Sequence, residues 1–400
     1  MMHKQSDTDT LPAGSVLPDY AGGSILNLMA SIAAALGSEP RYACVPGLDA
    51  CRPARRIVLL VIDGLGLTRL RQVAPAGFLA EHCLQGLTSV VPSATAAAIP
   101  VFMSGAAPAQ HGFPGWFVWF REMSLSAAIL PFATRSGFVA LDHSGWRPQD
   151  LSGAAPFADQ LAVPVCHVAP ARIADSVFSR DFLGQGAVTR RFDDFDGLCE
   201  ASVQAVRDFD DGGFVYSYWP DYDHQCHLSG VNSEAADRHL LKLDEAVAAL
   251  AAQLAEEGAD LLVTADHGFT DCPDDKQFVL ARDFPEVADC LQFALTGEPR
   301  LPIAHLRPGC EGRFLDEVEA RLGAHLSLMP SSEALAQGWF GPGDVYPPLR
   351  ERLGDYLLLM APHTALFDPD PHQPLPQMRG FHGGLSAEEM YVPLVYCPAS

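Results

Sequence analysis

The chain has 400 residues, enough for one large domain with an insertion or for two domains. Hydrophobic residues make up 48% and charged residues 19%, a globular balance, and the formal net charge is -23. Acidity on that scale repels nucleic-acid backbones and anionic membranes and so speaks against both as partners; a phosphate-bearing substrate stays open, because a bound divalent cation reverses the local field.

Residues 1–20 are polar and lack the apolar core of roughly 7–15 residues that a signal peptide needs. They are expected to form a flexible arm. No apolar run reaches the roughly 20 residues required to span a bilayer, which leads to the expectation of a cytoplasmic protein. The 10 Cys are scattered without a CxxC pair, the pattern of reduced, buried thiols. Residues 24–36 read as an apolar helix. Residues 57–62 form an unbroken run of β-branched residues and Leu, the signature of a parallel strand buried on both faces, and a Gly64-Leu65-Gly66 turn follows.

Further strands are predicted at 87–91, 165–168, Gly213–Trp219 and Asp260–Thr264. Between the last two, residues 233–257 read as a long Ala- and Leu-rich helix closed by Gly258. Alternation of this kind predicts an α/β fold layered around a mostly parallel sheet. Beyond Asp271 the segments become short and rich in Pro and Gly. There the pattern predicts a strand at 300–306, a helix at Glu311–Leu322, a strand at 325–329 and a helix at 331–337. We read residues 275–350 as an inserted β/α lobe, with Tyr356–Met360 returning as a core strand. The core then comprises 21–274 and 351–400.

In an open α/β sheet, ligands gather where strands end at their carboxyl side. Asp63 directly follows the 57–62 run, and Asp266 and His267 follow Asp260–Thr264. Asp223 and His227 come a short loop after Gly213–Trp219, and His382 sits in the Gly-flanked turn Gly380-Phe381-His382-Gly383-Gly384. With Thr95 the set offers three carboxylates, three imidazoles and a hydroxyl. Such donors suit Zn, and also Mn or Fe, and the inventory fits two divalent sites around one nucleophile. Singly each piece is weak; their order, with the Pro92-Ser93-Ala94-Thr95 segment among them, is not.

That segment continues to Gly105, Pro108 and His111-Gly112, and later come Asp223-x-x-x-His227 with Gly230, Ala265-Asp266-His267-Gly268 and Phe381-His382-Gly383. With Asp63-Gly64 at the head, the series resembles the type I phosphodiesterase/nucleotide pyrophosphatase family of the alkaline phosphatase superfamily, over about residues 57 to 390. The resemblance implies an alkaline-phosphatase-like layered core and two metal sites. Asp223, His227 and His382 would hold one ion, and Asp63, Asp266 and His267 the other beside Thr95. Thr95 would attack phosphorus in line and give a phosphothreonine intermediate. Ser93 is a competing hydroxyl, read as a polar turn residue. Asp221 and His224 compete with Asp223 and are placed at the rim. His111, His143 and Cys226 are read as structural or loop residues.

One departure stands out. Many relatives carry Asn twenty-one residues after the nucleophilic Thr, where this chain has Trp116. Trp116, Phe117 and Trp119 are candidates for lining a substrate pocket. The expected activity is hydrolysis of phosphodiester or pyrophosphate bonds in nucleotides or related small molecules. A phosphomonoesterase, a phosphonate hydrolase and a catalytically inactive metal-stabilised binding protein are the alternatives. No nucleic-acid polymer and no membrane is expected as partner, and a homo-oligomer is left open.

Overall fold

The computed structural model describes residues 11–48, 56–370 and 377–399. Of the expected flexible arm, residues 1–10 lie outside the described residues, whereas 11–20 are packed down. The Val16 N–H donates to Leu385 O at 2.7 Å, and the Tyr20 hydroxyl donates to Trp339 O at 2.9 Å. Leu11, Val16 and Leu17 pack against a buried cluster around Leu301 and Leu357. A polar average over the segment conceals these three anchors.

The main sheet has seven strands in the order Cys83–Thr88, Tyr391–Cys397, Asp260–Thr264, Arg56–Ile62, Gly213–Trp219, Val165–Pro170, Val188–Phe192. All its pairings are parallel except the two made by Tyr391–Cys397. Ile57 to Ile62 are all buried, as a strand covered by helices on both faces requires. The long helix Glu234–Glu256 starts where its composition says. Ser233 caps it by accepting the Ala236 N–H, and its buried positions Leu240, Leu243, Val247, Leu250 and Leu254 recur at helical spacing. Register fixes the site. Ile62 pairs with Trp219 and Val61 with Thr264. The residues that follow each strand therefore leave the sheet along one edge.

The strand expected at 87–91 lies instead at Cys83–Thr88. Past Thr88 the backbone bonds elsewhere, with the Ser89 N–H going to Met390 O at 2.7 Å. Val90 and Val91 are apolar because the chain crosses from one core to another, one residue buried in each.

A second sheet is antiparallel throughout. Its order is Leu326–Pro330, Tyr356–Met360, Leu301–Ala304, Thr296–Glu298, Phe117–Phe120, Leu125–Ala128, Ala133–Thr134. Tyr356–Met360, expected in the main sheet, belongs here. Its continuous apolar run has a different cause: Leu357 and Leu359 enter one cluster, Leu358 and Met360 another. Two-sided burial, not parallel pairing, wrote that sequence. The second sheet also takes strands from residues 117–134, so it extends beyond the expected 275–350 lobe on both sides. Helix Glu311–Leu322 forms as predicted. Among the described residues no helix is long and apolar enough to cross a membrane, and the described cysteines are free.

Candidate active site

Asp63 is the first residue past its strand. Its N–H still donates to Trp219 O at 2.9 Å, which holds the backbone in register while the side chain turns over the sheet edge. One carboxylate oxygen, Oδ2, accepts the Tyr218 hydroxyl. The other, Oδ1, is buried without a hydrogen-bond partner. Asp266 is divided the same way. Oδ1 accepts the N–H groups of Gly64 at 3.1 Å and His267 at 3.0 Å, and Oδ2 is buried and unpartnered. His267 Nδ1 lies 3.0 Å from Gly268 O, so Nδ1 carries the proton and Nε2 presents a lone pair. That Nε2 lies 3.4 Å from Asp63 Oδ1 and 3.5 Å from Asp266 Oδ2. Gly64 permits the crossing, since a Cβ there would lie 2.5 Å from the Phe269 ring and its φ is +78°.

Asp223 and His227 stand four apart on helix Asp221–Ser229, which replaces the short loop expected there and puts both on one face. Asp223 Oδ1 is buried without a partner and lies 3.3 Å from His227 Nε2 and 3.7 Å from His382 Nε2. His227 Nδ1 is 2.9 Å from Gly380 O, which again leaves Nε2 as the free lone pair. The two Nε2 atoms of His227 and His382 are 3.2 Å apart. The rings of His267 and His382 stack at 3.7 Å between centroids, so the two triads adjoin.

In each triad the donor atoms all lie within 4.8 Å of one another. Burial lifts the Asp63 carboxyl well above the usual range, and the charges of Asp266 and Asp223 add to the rise. His382 is pushed well below the usual imidazole range by burial and by its neighbours His267 and His227. Burial alone would lower His227 too, but the Asp223 carboxylate, the Gly380 carbonyl and Glu298 together outweigh it and the net shift is upward. No Lys or Arg among the described residues pairs with Asp63, Asp266 or Asp223. Buried, unpaired carboxylate oxygens facing imidazole lone pairs are the donor set that a divalent cation would satisfy. Each triad could hold a metal ion.

Thr95 opens helix Thr95–Ser104, which the sequence reading did not assign. Its Oγ1 lies 3.1 Å from His267 Nε2. The positive end of that helix faces whatever binds at Thr95. Ser93 is buried and donates its hydroxyl to Gly384 O at 2.7 Å, tying down the turn that carries His382. His111 is structural: Nδ1 accepts the Phe113 N–H at 3.1 Å and Nε2 meets Ala97 O at 3.1 Å, on the helix that Thr95 opens. Asp221 pairs with Arg172 at 2.5 Å, and His224 is exposed; neither joins a triad. Cys226 is buried under the site and its thiol is pushed up by burial.

Two cavities meet at Thr95. The larger, about 800 Å³, runs past Ile99, Met103, His167 and Tyr216. The smaller, about 440 Å³, is lined by Phe117, Glu298 and Phe381 beside His227 and His382. Trp116 and Asp223 line both. Of the three aromatic candidates, Trp116 and Phe117 thus face a cavity. Trp119 lines neither and stacks on Phe293 at 4.3 Å. Tyr218 and Glu298 were not singled out from sequence. Tyr218 had a signal, because a strand places its side chain on a definite face, whereas Glu298 had none.

A family model described as type I phosphodiesterase / nucleotide pyrophosphatase matches residues 57–385. Among solved structures, murine ectonucleotide pyrophosphatase / phosphodiesterase 5 is similar with a TM-score of 0.62 at 17% identity, covering 85% of this chain and 87% of that one. Phosphonoacetate hydrolase from Sinorhizobium meliloti 1021, in complex with phosphonoacetate, is similar with a TM-score of 0.62 at 17% identity, covering 87% of this chain and 91% of that one. At such identities the likeness is one of fold. Among curated proteins no relative matches the chain. The family match begins in the strand that precedes Asp63 and runs past His382, so it takes in Thr95 and both triads over well more than half of the sequence: the chain belongs to the type I phosphodiesterase/nucleotide pyrophosphatase family of the alkaline phosphatase superfamily.

Proposed function

We propose that the protein is a two-metal hydrolase of phosphodiester or pyrophosphate bonds in nucleotides or related small molecules, with Thr95 as nucleophile. The observation that carries this reading is the approach of Thr95 Oγ1 to His267 Nε2, at 3.1 Å, next to the unpartnered oxygens of Asp63 and Asp266. Asp63, Asp266 and His267 would hold one divalent ion and Asp223, His227 and His382 a second. Zn is the first choice for these donors, with Mn and Fe also compatible. When bound, such ions lower the pKa of a coordinated hydroxyl and offset phosphoryl charge.

The chain's own groups do the rest. Thr95 Oγ1, its proton released to solvent water, forms a bond to phosphorus as the ester oxygen on the opposite side departs with its electron pair and takes a proton from water. The product is a phosphothreonine, which water then cleaves at phosphorus. At the start of helix Thr95–Ser104 the Thr95 and Ala96 N–H groups would face the phosphoryl oxygens, those of Ala97 and Ala98 being bonded to Ala94 O. Tyr218 and the Gly64 and His267 N–H groups fix Asp63 and Asp266, so neither carboxylate has to reorganise during the reaction.

Two cavities at one nucleophile favour a phosphorus atom carrying two organic arms. A monoester would bring a second negative charge, which calls for a free cation. The basic residues lining the cavities are Arg135 and Arg172, and both are engaged. Arg135 donates to Leu295 O and Asp368 O, and Arg172 pairs with Asp221. The likeness to a phosphonoacetate hydrolase supports carbon–phosphorus cleavage as a second reading, but its carboxylate would meet the same lack of an uncommitted cation. Free thiols support a reducing, cytoplasmic setting.

The deciding experiment is a substrate panel on metal-loaded protein: bis-(p-nitrophenyl) phosphate, p-nitrophenyl phosphate, phosphonoacetate and nucleotide diesters. The diester should turn over fastest, and Thr95→Ala should lower its kcat by about 10³-fold or more. Faster monoester or phosphonate turnover would sink the diester assignment, and an unaffected Thr95→Ala variant would remove the covalent step.

A further inference from the structure

The larger cavity at Thr95 runs into the space between helix Thr95–Ser104 and the main sheet. Ile99 and Met103, four and eight residues beyond Thr95, line it, so it follows the helix for about 12 Å. His167 and Tyr216 line it from the sheet, opposite each other on the parallel strands Val165–Pro170 and Gly213–Trp219. Their rings stack at 5.0 Å between centroids. Strands buried on both faces ordinarily carry apolar side chains, yet here two polar ones share one cavity wall. His167 is 6% and Tyr216 5% exposed, and both His167 Nδ1 and the Tyr216 hydroxyl are buried without a hydrogen-bond partner. Buried polar atoms in native proteins are nearly always satisfied. Two that are not, on a cavity that opens at the nucleophile, fit the polar group of a ligand. Ala169, two residues from His167 on the same face, is small and leaves the way in open.

We propose that His167 and Tyr216 form a specificity subsite of the larger cavity, binding a neutral hydroxyl at the far end of an apolar substrate arm. This rests on the phosphodiesterase reading and narrows the substrate class within it. The strand sets the reach. Tyr218 holds Asp63 at the sheet edge, and Tyr216 lies two residues, about 7 Å, further in. An arm of phenethyl length spans that depth. The chemistry follows from the two side chains. Burial keeps the His167 imidazole uncharged, pushing it down to about 4, so it offers one donor and one acceptor. The Tyr216 hydroxyl offers both as well. A substrate hydroxyl accepts from one and donates to the other. A charged arm would find no counter-charge, because Arg172 on this cavity pairs with Asp221, and Asp63 and Asp223 belong to the triads. Ser176 and Ser179, also on the lining, bond to each other at 2.9 Å. Ile99, Met103 and Phe178 are left to cover the body of the arm.

The test compares two diesters that differ by one hydroxyl, methyl 2-(4-hydroxyphenyl)ethyl phosphate and methyl 2-phenylethyl phosphate. Each is titrated calorimetrically into the metal-loaded Thr95→Ala protein, alone and combined with His167→Phe, Tyr216→Phe or both, with metal content measured for each. The Thr95→Ala protein should bind the hydroxylated ester about 10- to 100-fold more tightly, because the other ester leaves both polar atoms unpaired. Each single substitution should reduce that ratio of Kd values, and the two together should bring it within about threefold of unity. A ratio near one before substitution, or no binding of either ester, overturns the subsite and leaves the end of the cavity to water. A ratio that survives the double substitution overturns the assignment to His167 and Tyr216, even where both esters bind more weakly, since a merely structural role weakens both alike. Turnover of bis-(p-nitrophenyl) phosphate by the unsubstituted enzyme is measured separately: its absence sinks the phosphodiesterase reading, whereas turnover together with a ratio near one sinks only the subsite.

Discussion

At the scale of single residues, the site depends on carboxylates whose two oxygens have different tasks. Asp63 Oδ2 is held by Tyr218 and Oδ1 is left free. Burial and the nearby Asp63 and Asp266 charges push the Tyr218 phenol well up, so it stays a donor. Tyr218→Phe should therefore loosen Asp63 and weaken metal binding about 10- to 100-fold, the usual effect of removing a partner behind a ligand. Competition against a chelator would measure this, and an unchanged affinity would show that the strand alone fixes Asp63. That the six residues of the two triads converge was legible in sequence, because Asp63, Asp266 and His267 directly follow strands and the others belong to short motifs in the same order. Trp119 was not, because a run of aromatics gives no distance from the site. Phe117 reaches the smaller cavity, while Trp119, two residues on, packs against Phe293.

At the scale of elements, the turn bearing His382 is secured from a distance. Arg300, from the segment between two strands of the second sheet, forms a buried pair with Glu389, donating at 3.0 Å to Oε1 and 2.7 Å to Oε2. Glu389 in turn accepts the Gly384 N–H at 2.8 Å, and its carbonyl accepts the Gly268 N–H at 2.7 Å. One glutamate thus braces the loops of both triads, and Arg300 also donates to Ala361 O and Thr364 O. Glu389→Gln leaves a buried guanidinium uncompensated and should cost roughly 3–5 kcal/mol in urea unfolding. Metal stoichiometry should fall at the same time; intact stoichiometry would mean the loops hold without this brace. None of this was legible, since the pair spans 89 residues of sequence. The helix Glu234–Glu256 was legible, because its cap and its apolar period are both local. Tyr356–Met360 was misplaced for the converse reason: a run buried on both faces reads alike in either sheet.

At the scale of the whole molecule, two forces on stability can be separated. Binding of metal to folded protein alone should raise the unfolding free energy by about 4 kcal/mol at a free concentration 1,000 times Kd, and the melting temperature with it. A chelator should lower Tm and added Zn restore it in a thermal melt; an unmoved Tm would argue that neither triad binds tightly. The second force is protonation. His167 is buried, its Nδ1 has no partner, and burial pushes it down to about 4. The unfolded chain takes up that proton near the ordinary value of 6.5, so this contribution is present above 6.5 and is lost as pH falls toward 4. His167→Phe keeps a ring to stack on Tyr216 and removes the titration. Relative to the unsubstituted protein it should gain up to about 1.4 kcal/mol per pH unit below 6.5 in urea unfolding of the metal-free form. A pH-independent difference would contradict the shift.

The position of Tyr391–Cys397 also sets a timetable. This strand is last of the seven in sequence, yet it lies inside the sheet, joining Cys83–Thr88 to Asp260–Thr264. Until it is inserted, the Cys83–Thr88 strand has no partner in the main sheet, and the segment leading from it to Thr95 is tied to Asp266 only through the Ser89 hydroxyl, which donates to Asp266 O. A chain emerging from a ribosome can align Arg56–Ile62 with Gly213–Trp219 and Asp260–Thr264 well before that, but such non-local closure is slow and comes at the end. Thr95 is thus set against the two triads only once the last of the seven strands is in place, so the proposed hydrolysis would require the sheet to be closed.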